Sequence, residues 1–203
     1  MIQPPERLAE RDAAIEAMLP NVPFDGWTVR ALRSGLTAAG LPEDEAAILF
    51  PGGAADMIAV FCDLADRRMT EAAAGSTEAK LAARVQAIIA SRLTANRLHK
   101  EAIRRAMAVL AMPGNARTAA AITARTVDAI WHAAGDRSAD FSWYTKRAML
   151  TVVYGATLLF WLHDTSEDDA DTLAFIDRRL RGVGRLTRAR GRASSWLSRL
   201  RPA

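Results

Sequence analysis

Apolar residues recur along this chain every three or four positions, the spacing of one face of an α-helix, almost from end to end. Glu6 to Leu19 predicts a first helix with Ile15, Met18 and Leu19 inward and Pro20 as its stop. Asn21-Val22-Pro23-Phe24 predicts an extended linker, because a residue before proline avoids the helical region. Asp25 then caps a helix to about Ala39, with Val29, Leu32, Leu36 and Ala39 on its buried side and Gly40 after it. Pro42 opens a short helix through Phe50. Pro51-Gly52-Gly53 is a turn before a longer helix, Ala54 to Ala74, with Met57, Phe61 and Leu64 inward. Thr77 to Met112 reads as one long helical stretch whose apolar face carries Ile103, Met107 and Leu110. After Pro113-Gly114-Asn115 comes a helix over Ala116 to Ala134, with Val127, Ile130 and Trp131 apolar. Past a loop from Gly135 to Asp140, Phe141 to Leu162 forms the most apolar helix, greasy nearly all round in its second half. Ser166, with Asp169 three positions on, resembles a capping box for a helix that puts Leu173, Ile176 and Leu180 on one side. The expected fold class is all-α.

Composition agrees. Half of the 203 residues are hydrophobic and 25% are charged, enough for a full core in one domain. Cys62 is the only cysteine, which excludes a disulfide scaffold. The N-terminal residues carry acids and prolines rather than the apolar region of a signal peptide. The longest uncharged run, Ala148 to Leu162, is short for a bilayer span and fits a core helix. The expectation is a soluble protein of a reducing compartment.

Charge changes the picture at one end. Nine arginines and no acid follow Asp177, which leaves 18 Lys and Arg against 23 acids in residues 1–177, a net of −5. The tail, 182–203, is basic and amphipathic: Leu186, Ala189, Ala193, Trp196, Leu197 and Leu200 fall on one side, Arg185, Arg188, Arg192 and Arg199 on the other. A basic helix with a Trp is the form that lies in a membrane interface, where each arginine adds roughly 1 kcal/mol on an anionic leaflet. A solvated basic tail and a nucleic-acid contact are the alternatives those residues allow.

Candidate chemistry is sparse. Asp25–Ala39, Gly40 and Leu41–Phe50 have the outline of a helix-turn-helix, but the second helix begins Pro42-Glu43-Asp44-Glu45, three acids where a DNA reader needs bases. His99, His132 and His163 have no partner at metal-ligand spacing, and the acids from Asp164 to Asp171 suit the first turn of a helix better than a cation. Pro51-Gly52-Gly53 lacks the lysine of a phosphate loop, and Cys62 lies among apolar neighbours. No catalytic residue, metal or cofactor is expected, so the chain does not read as an enzyme. Trp143 and Tyr144 point about 100° apart on a helix, so one of them is expected at the surface.

Five segments carry a resemblance: Val22-Pro23-Phe24-Asp25-Gly26-Trp27-Thr28, Phe50-Pro51-Gly52-Gly53-Ala54, Trp143-Tyr144-Thr145-Lys146-Arg147, Asp164-Thr165-Ser166-Glu167-Asp168 and Asp171-Thr172-Leu173-Ala174-Phe175. In order and spacing, across about 8–185, they resemble the coenzyme Q nine family, accessory proteins of ubiquinone biosynthesis. The resemblance implies a TetR-like homodimer whose helix-turn-helix, within residues 1–53 of a single lipid-binding domain over 1–181, no longer reads nucleic acid. It implies a cavity for an isoprenoid lipid or ubiquinone precursor, for which Met57, Phe61, Trp131, Val153, Tyr154, Leu158 and Trp161 are the candidate lining. It implies presentation of that lipid to a demethoxyubiquinone hydroxylase through Trp143 and Tyr144. It also implies a C-terminal amphipathic helix on an anionic membrane surface, with Leu186, Arg192, Trp196, Leu197, Arg199 and Leu200 in contact. The expected location is cytoplasmic, peripheral on the inner face of the membrane. The competing readings are a TetR-like transcriptional regulator with a hydrophobic ligand pocket and a small enzyme using the histidines or the Asp164–Asp171 group.

Overall fold

The computed structural model describes residues 3–75, 80–136 and 142–182, and among these every regular element is a helix. They fall into two units, 1–139 and 140–203. The first contains α1 (Ala9–Met18), α2 (Val22–Asp25), α3 (Val29–Ala38), a 3-10 turn at Glu43–Glu45 leading into α4 (Ala46–Leu49), α5 (Gly53–Ala73), α6 (Leu81–Ala95), α7 (Lys100–Leu110) and α8 (Ala116–Ala133). The second contains α9 (Ser142–His163) and a last helix, α10, over 170–182.

In the first unit α5 is the hub, packing against α1, α6, α7 and α8. Met57, Ile58, Phe61, Leu64 and Met69 bury its inner faces, and each such side chain contributes about 1.5–3 kcal/mol of hydrophobic stabilisation. Ion pairs zip its outer side to α1 and the residues before it. Arg7 and Arg67 both donate to Asp63, Arg67 also reaches Asp12 at 2.7 Å, Arg11 reaches Asp56 at 2.6 Å, and Arg68 pairs with Glu16. Burial alone would raise the Asp63 carboxyl, but the hydrogen bonds from Arg7 and Arg67 outweigh it and hold the group below the ordinary carboxylate range. Deeper in the unit, Arg92 of α6 and Thr126 of α8 both donate to Asp66 of α5, each at 2.9 Å, so three helices meet on one buried carboxylate.

The head of this unit differs from the sequence expectation in its joints. Val22 to Asp25 is a turn of helix rather than an extended linker, because Pro23 sits in the first turn, where its missing N–H is not needed. Thr28, not Asp25, caps α3: its Oγ1 accepts from Ala31 N, and Gly26 at φ 72° turns the chain between the two candidates. Gly40 ends α3 as expected, at φ 70°, with Leu41 N donating to Leu36 O and Gly40 N to Thr37 O. The long stretch expected from Thr77 to Met112 is broken. Thr77 lies outside the described residues, and α6 ends before Asn96, whose Nδ2 donates to Arg92 O. The side chain competes with the helix for its own carbonyls, and a 3-10 turn at Arg97–His99 re-aims the chain into α7.

In the second unit α10 is tied to α9 through one carboxylate and one ring pair. Asp164 accepts from Ser166 N (2.8 Å), Ser166 Oγ (2.7 Å), Thr172 N (2.9 Å) and Thr172 Oγ1 (2.5 Å). Ser166 Oγ in turn accepts from Asp171 N at 3.1 Å, so the expected box with Asp169 is replaced by a cap centred on Asp164. Phe175 of α10 stacks on Phe160 of α9 at 4.6 Å, and the Arg179 guanidinium lies over the Phe175 ring at 4.8 Å.

Candidate functional site

The segments that looked distinctive in the first unit do structural work. Trp27 is buried, donates Nε1 to Ala102 O at 2.9 Å and packs on Phe61 at 5.5 Å, which pins the turn after α2 onto α7. Phe50 is buried under the Arg11 guanidinium, and Gly53 at φ 64° allows the sharp entry into α5. The acids Glu43, Asp44 and Glu45 are exposed on the second element of the helix-turn-helix, so that face carries negative potential.

The second unit exposes its chemistry. Tyr144 is 69% exposed while Trp143 is half-buried, as the adjacent pair on a helix required. Their rings meet edge to face at 4.7 Å, and the Arg147 guanidinium lies 3.8 Å over the Trp143 ring. Tyr144 also begins a stripe. Val152 is 71% exposed and Leu159 51%, and with exposed Ala148 these residues fall within an arc of about 80°. They run about 22 Å along α9. Leu150, Val153, Tyr154, Thr157 and Trp161 are buried on other faces of the helix. The all-round apolarity of the sequence is thus divided into a buried face and an open one.

The seven candidate lining residues fall in both units. Met57 and Phe61 are buried and Trp131 half-buried in the first; Val153, Tyr154 and Trp161 are buried and Leu158 half-buried in the second. Tyr154, Leu158 and Trp161, at i, i+4 and i+7, share a face of α9. Phe61 borders a cavity of about 130 Å³ between α5, α6 and Leu19, walled by Leu64, Ala65 and Met69 and rimmed by Arg68, Ser91, Asn96 and His99. Sequence reasoning missed this cavity, since no residue pattern announces missing volume. Leu186, Arg192, Trp196, Leu197, Arg199 and Leu200 lie outside the described residues. Among the described residues no single helix is long and apolar enough to cross a membrane. No group of three or more His, Cys, Asp or Glu converges there either. Burial pushes the Cys62 thiol up to about 11, which leaves it protonated and a poor nucleophile.

Known proteins are similar to this chain in sequence and in fold. The COQ9 family model matches residues 116–187. The mitochondrial ubiquinone biosynthesis protein COQ9 of Homo sapiens is 33% identical over 180 residues, 82% of this chain and 55% of that protein. The chain therefore spans about half the length of the vertebrate relatives it matches. The mitochondrial ubiquinone biosynthesis protein coq9 of Schizosaccharomyces pombe is 33% identical over 184 residues, 90% of this chain and 73% of that protein. A TetR transcriptional regulator from Nitrosomonas europaea superposes with a TM-score of 0.68 over 85% of this chain and 96% of its own, at 22% identity, so the fold is TetR-like. Identity at this level, sustained over most of the fission yeast protein's length, means that the chain belongs to the COQ9 family.

Proposed function

We propose that this protein is a non-enzymatic lipid-binding accessory of ubiquinone biosynthesis. It binds an isoprenoid quinone precursor at the membrane and presents it to a demethoxyubiquinone hydroxylase. The observation that carries this reading is the exposed stripe from Tyr144 to Leu159 in a chain of the COQ9 family. A contiguous apolar strip on a surface helix marks a binding face. Its aromatic end, with Tyr144 open and Trp143 braced by Arg147, has the composition of an interface hot spot and receives the hydroxylase. The basic tail holds the protein on the inner face of an anionic membrane, and the protein works as a homodimer. The transcriptional-regulator alternative has the fold in its favour and the exposed acids Glu43 to Glu45 against it, since they would face a polyanion.

Mass spectrometry of lipid extracted from the natively purified protein tests the cargo. Isoprenoid quinones or their precursors are expected. An empty protein that retards a specific DNA duplex would establish the regulator instead. For the partner, Tyr144→Ala and Trp143→Ala are each expected to weaken hydroxylase binding at least ten-fold, as loss of a hot-spot aromatic does. Melting temperature should stay within a few degrees of the parent for Tyr144→Ala. Undiminished binding by both variants would remove these residues from the interface.

A further inference from the structure

The cavity between α5, α6 and Leu19 has the size and the polar groups of a specific small site. Its walls are buried and apolar: Leu19, Phe61, Leu64 and Met69. A cavity of roughly 150 Å³ lined by Leu, Ile and Phe holds one benzene molecule, so about 130 Å³ is the scale of a single six-membered ring.

The rim is not apolar. Asn96 is only 8% exposed, and its Nδ2 is spent on Arg92 O, which leaves Oδ1 as an acceptor without a protein hydrogen bond. The His99 ring also makes no side-chain hydrogen bond among the described residues. Burial, and secondarily the Arg68 charge, pulls the His99 imidazole below its ordinary value, so at neutral pH it is uncharged and offers one donor and one acceptor. Arg68 is itself paired with Glu16, so the mouth of the cavity does not demand a full negative charge. Asn96 Oδ1 and the half-buried His99 ring thus keep unused hydrogen-bonding capacity at the mouth of an apolar cavity, which a ligand hydroxyl can take up.

We infer that this cavity binds a single hydroxylated aromatic ring, with the ring against Phe61 and Met69 and its hydroxyl between Asn96 and His99. The hydroxyl donates to Asn96 Oδ1 and accepts from the imidazole N–H. This deepens the lipid-binding reading and rests on it for the ligand's identity in the cell: the phenolic head of a precursor is held here, apart from its tail.

Phenol and toluene, equal in size and differing in the hydroxyl, are the probes. Each is titrated into the full-length protein carrying 13C-methyl methionine, and the Met69 methyl resonance is followed. Phenol is expected to shift that resonance saturably, with half-saturation at or below about 1 mM, and toluene to bind at least about five-fold more weakly, the worth of one neutral hydrogen bond. His99→Phe removes no bond of the folded protein and should keep its melting temperature while weakening phenol several-fold. No saturable shift, or equal response to phenol and toluene, overturns the inference. If phenol fails while isoprenoid lipid still co-purifies, the head-group site is wrong and lipid binding stands. If phenol binds to a protein that carries no isoprenoid lipid, the site stands and the lipid-binding reading falls.

Discussion

Two aspartates meet opposite fates in this molecule. Asp66 is enclosed by three helices; burial raises its carboxyl, with Arg92 and Thr126 pulling the other way. Asp164 lies near the surface and gathers hydrogen bonds from Ser166 and Thr172, which outweigh the small cost of burial and hold it down to about 2. A carboxyl depressed in the fold contributes stability that is complete above its unfolded value, near 3.9, and is lost as pH falls from there to about 2. Asp164→Asn is therefore expected to flatten the pH dependence of the melting temperature between about 4 and 2 while lowering it at neutral pH. An unchanged slope in thermal melts across that window would show that the loop opens without Asp164. Little of this is legible beforehand. The acids from Asp164 onward look like helix-dipole complements, and only the folded loop returns Thr172, eight positions on, to the same carboxylate.

Elements are easier to read than their joints. The three-to-four-residue period locates α3, α5, α8 and α9 because a buried helix face has to repeat at that spacing, although in α3 Ala31 and Gly35 share the buried face with Leu32 and Leu36 while the expected Val29 and Ala39 are exposed. It does not see the break at Asn96, since apolar positions continue in step on both sides. It cannot choose between Asp25 and Thr28 as a cap, because both have the chemistry and only one has the backbone. Nor does it reveal how closely helices approach. A Cβ on Gly35 of α3 would lie 2.6 Å from the backbone carbonyl of Ala17, at the end of α1, so this crossing exists only because position 35 has no side chain. Gly35→Ala is expected to destabilise the protein by roughly 1–3 kcal/mol despite the better helix propensity of alanine, as overpacking does. Chemical denaturation measures it, and a neutral or stabilising result would mean that α1 shifts freely.

For the whole molecule, the stripe on α9 is about long enough to seat a second helix of similar length, and its centre is distinct from its aromatic end. In a homodimer formed along it, Val152 would be central. Val152→Glu is then expected to halve the sedimenting mass at micromolar concentration without unfolding the chain, because a buried unpaired carboxylate costs several kcal/mol per protomer. A dimer that survives this change uses another face. The candidate site divides the same way as the fold: the exposure of one member of the Trp143–Tyr144 pair was legible because neighbours on a helix cannot share a face, whereas the ring-sized cavity was not, because it arises from volume left empty between α5 and α6.

The zipper between α1 and α5 bears on how this protein should be shortened. Helix α1 begins at Ala9, so a start codon moved there looks harmless: every helix survives. Yet Arg7 would go with the trimmed residues. Asp63, nearly inaccessible to water, would keep Arg67 as its one partner, while Arg67 must also serve Asp12. An expression clone cut at the visible edge of secondary structure would thus carry a half-compensated charge against its hub helix, and poor yield from such a clone would reflect the missing arginine and not an unstable fold.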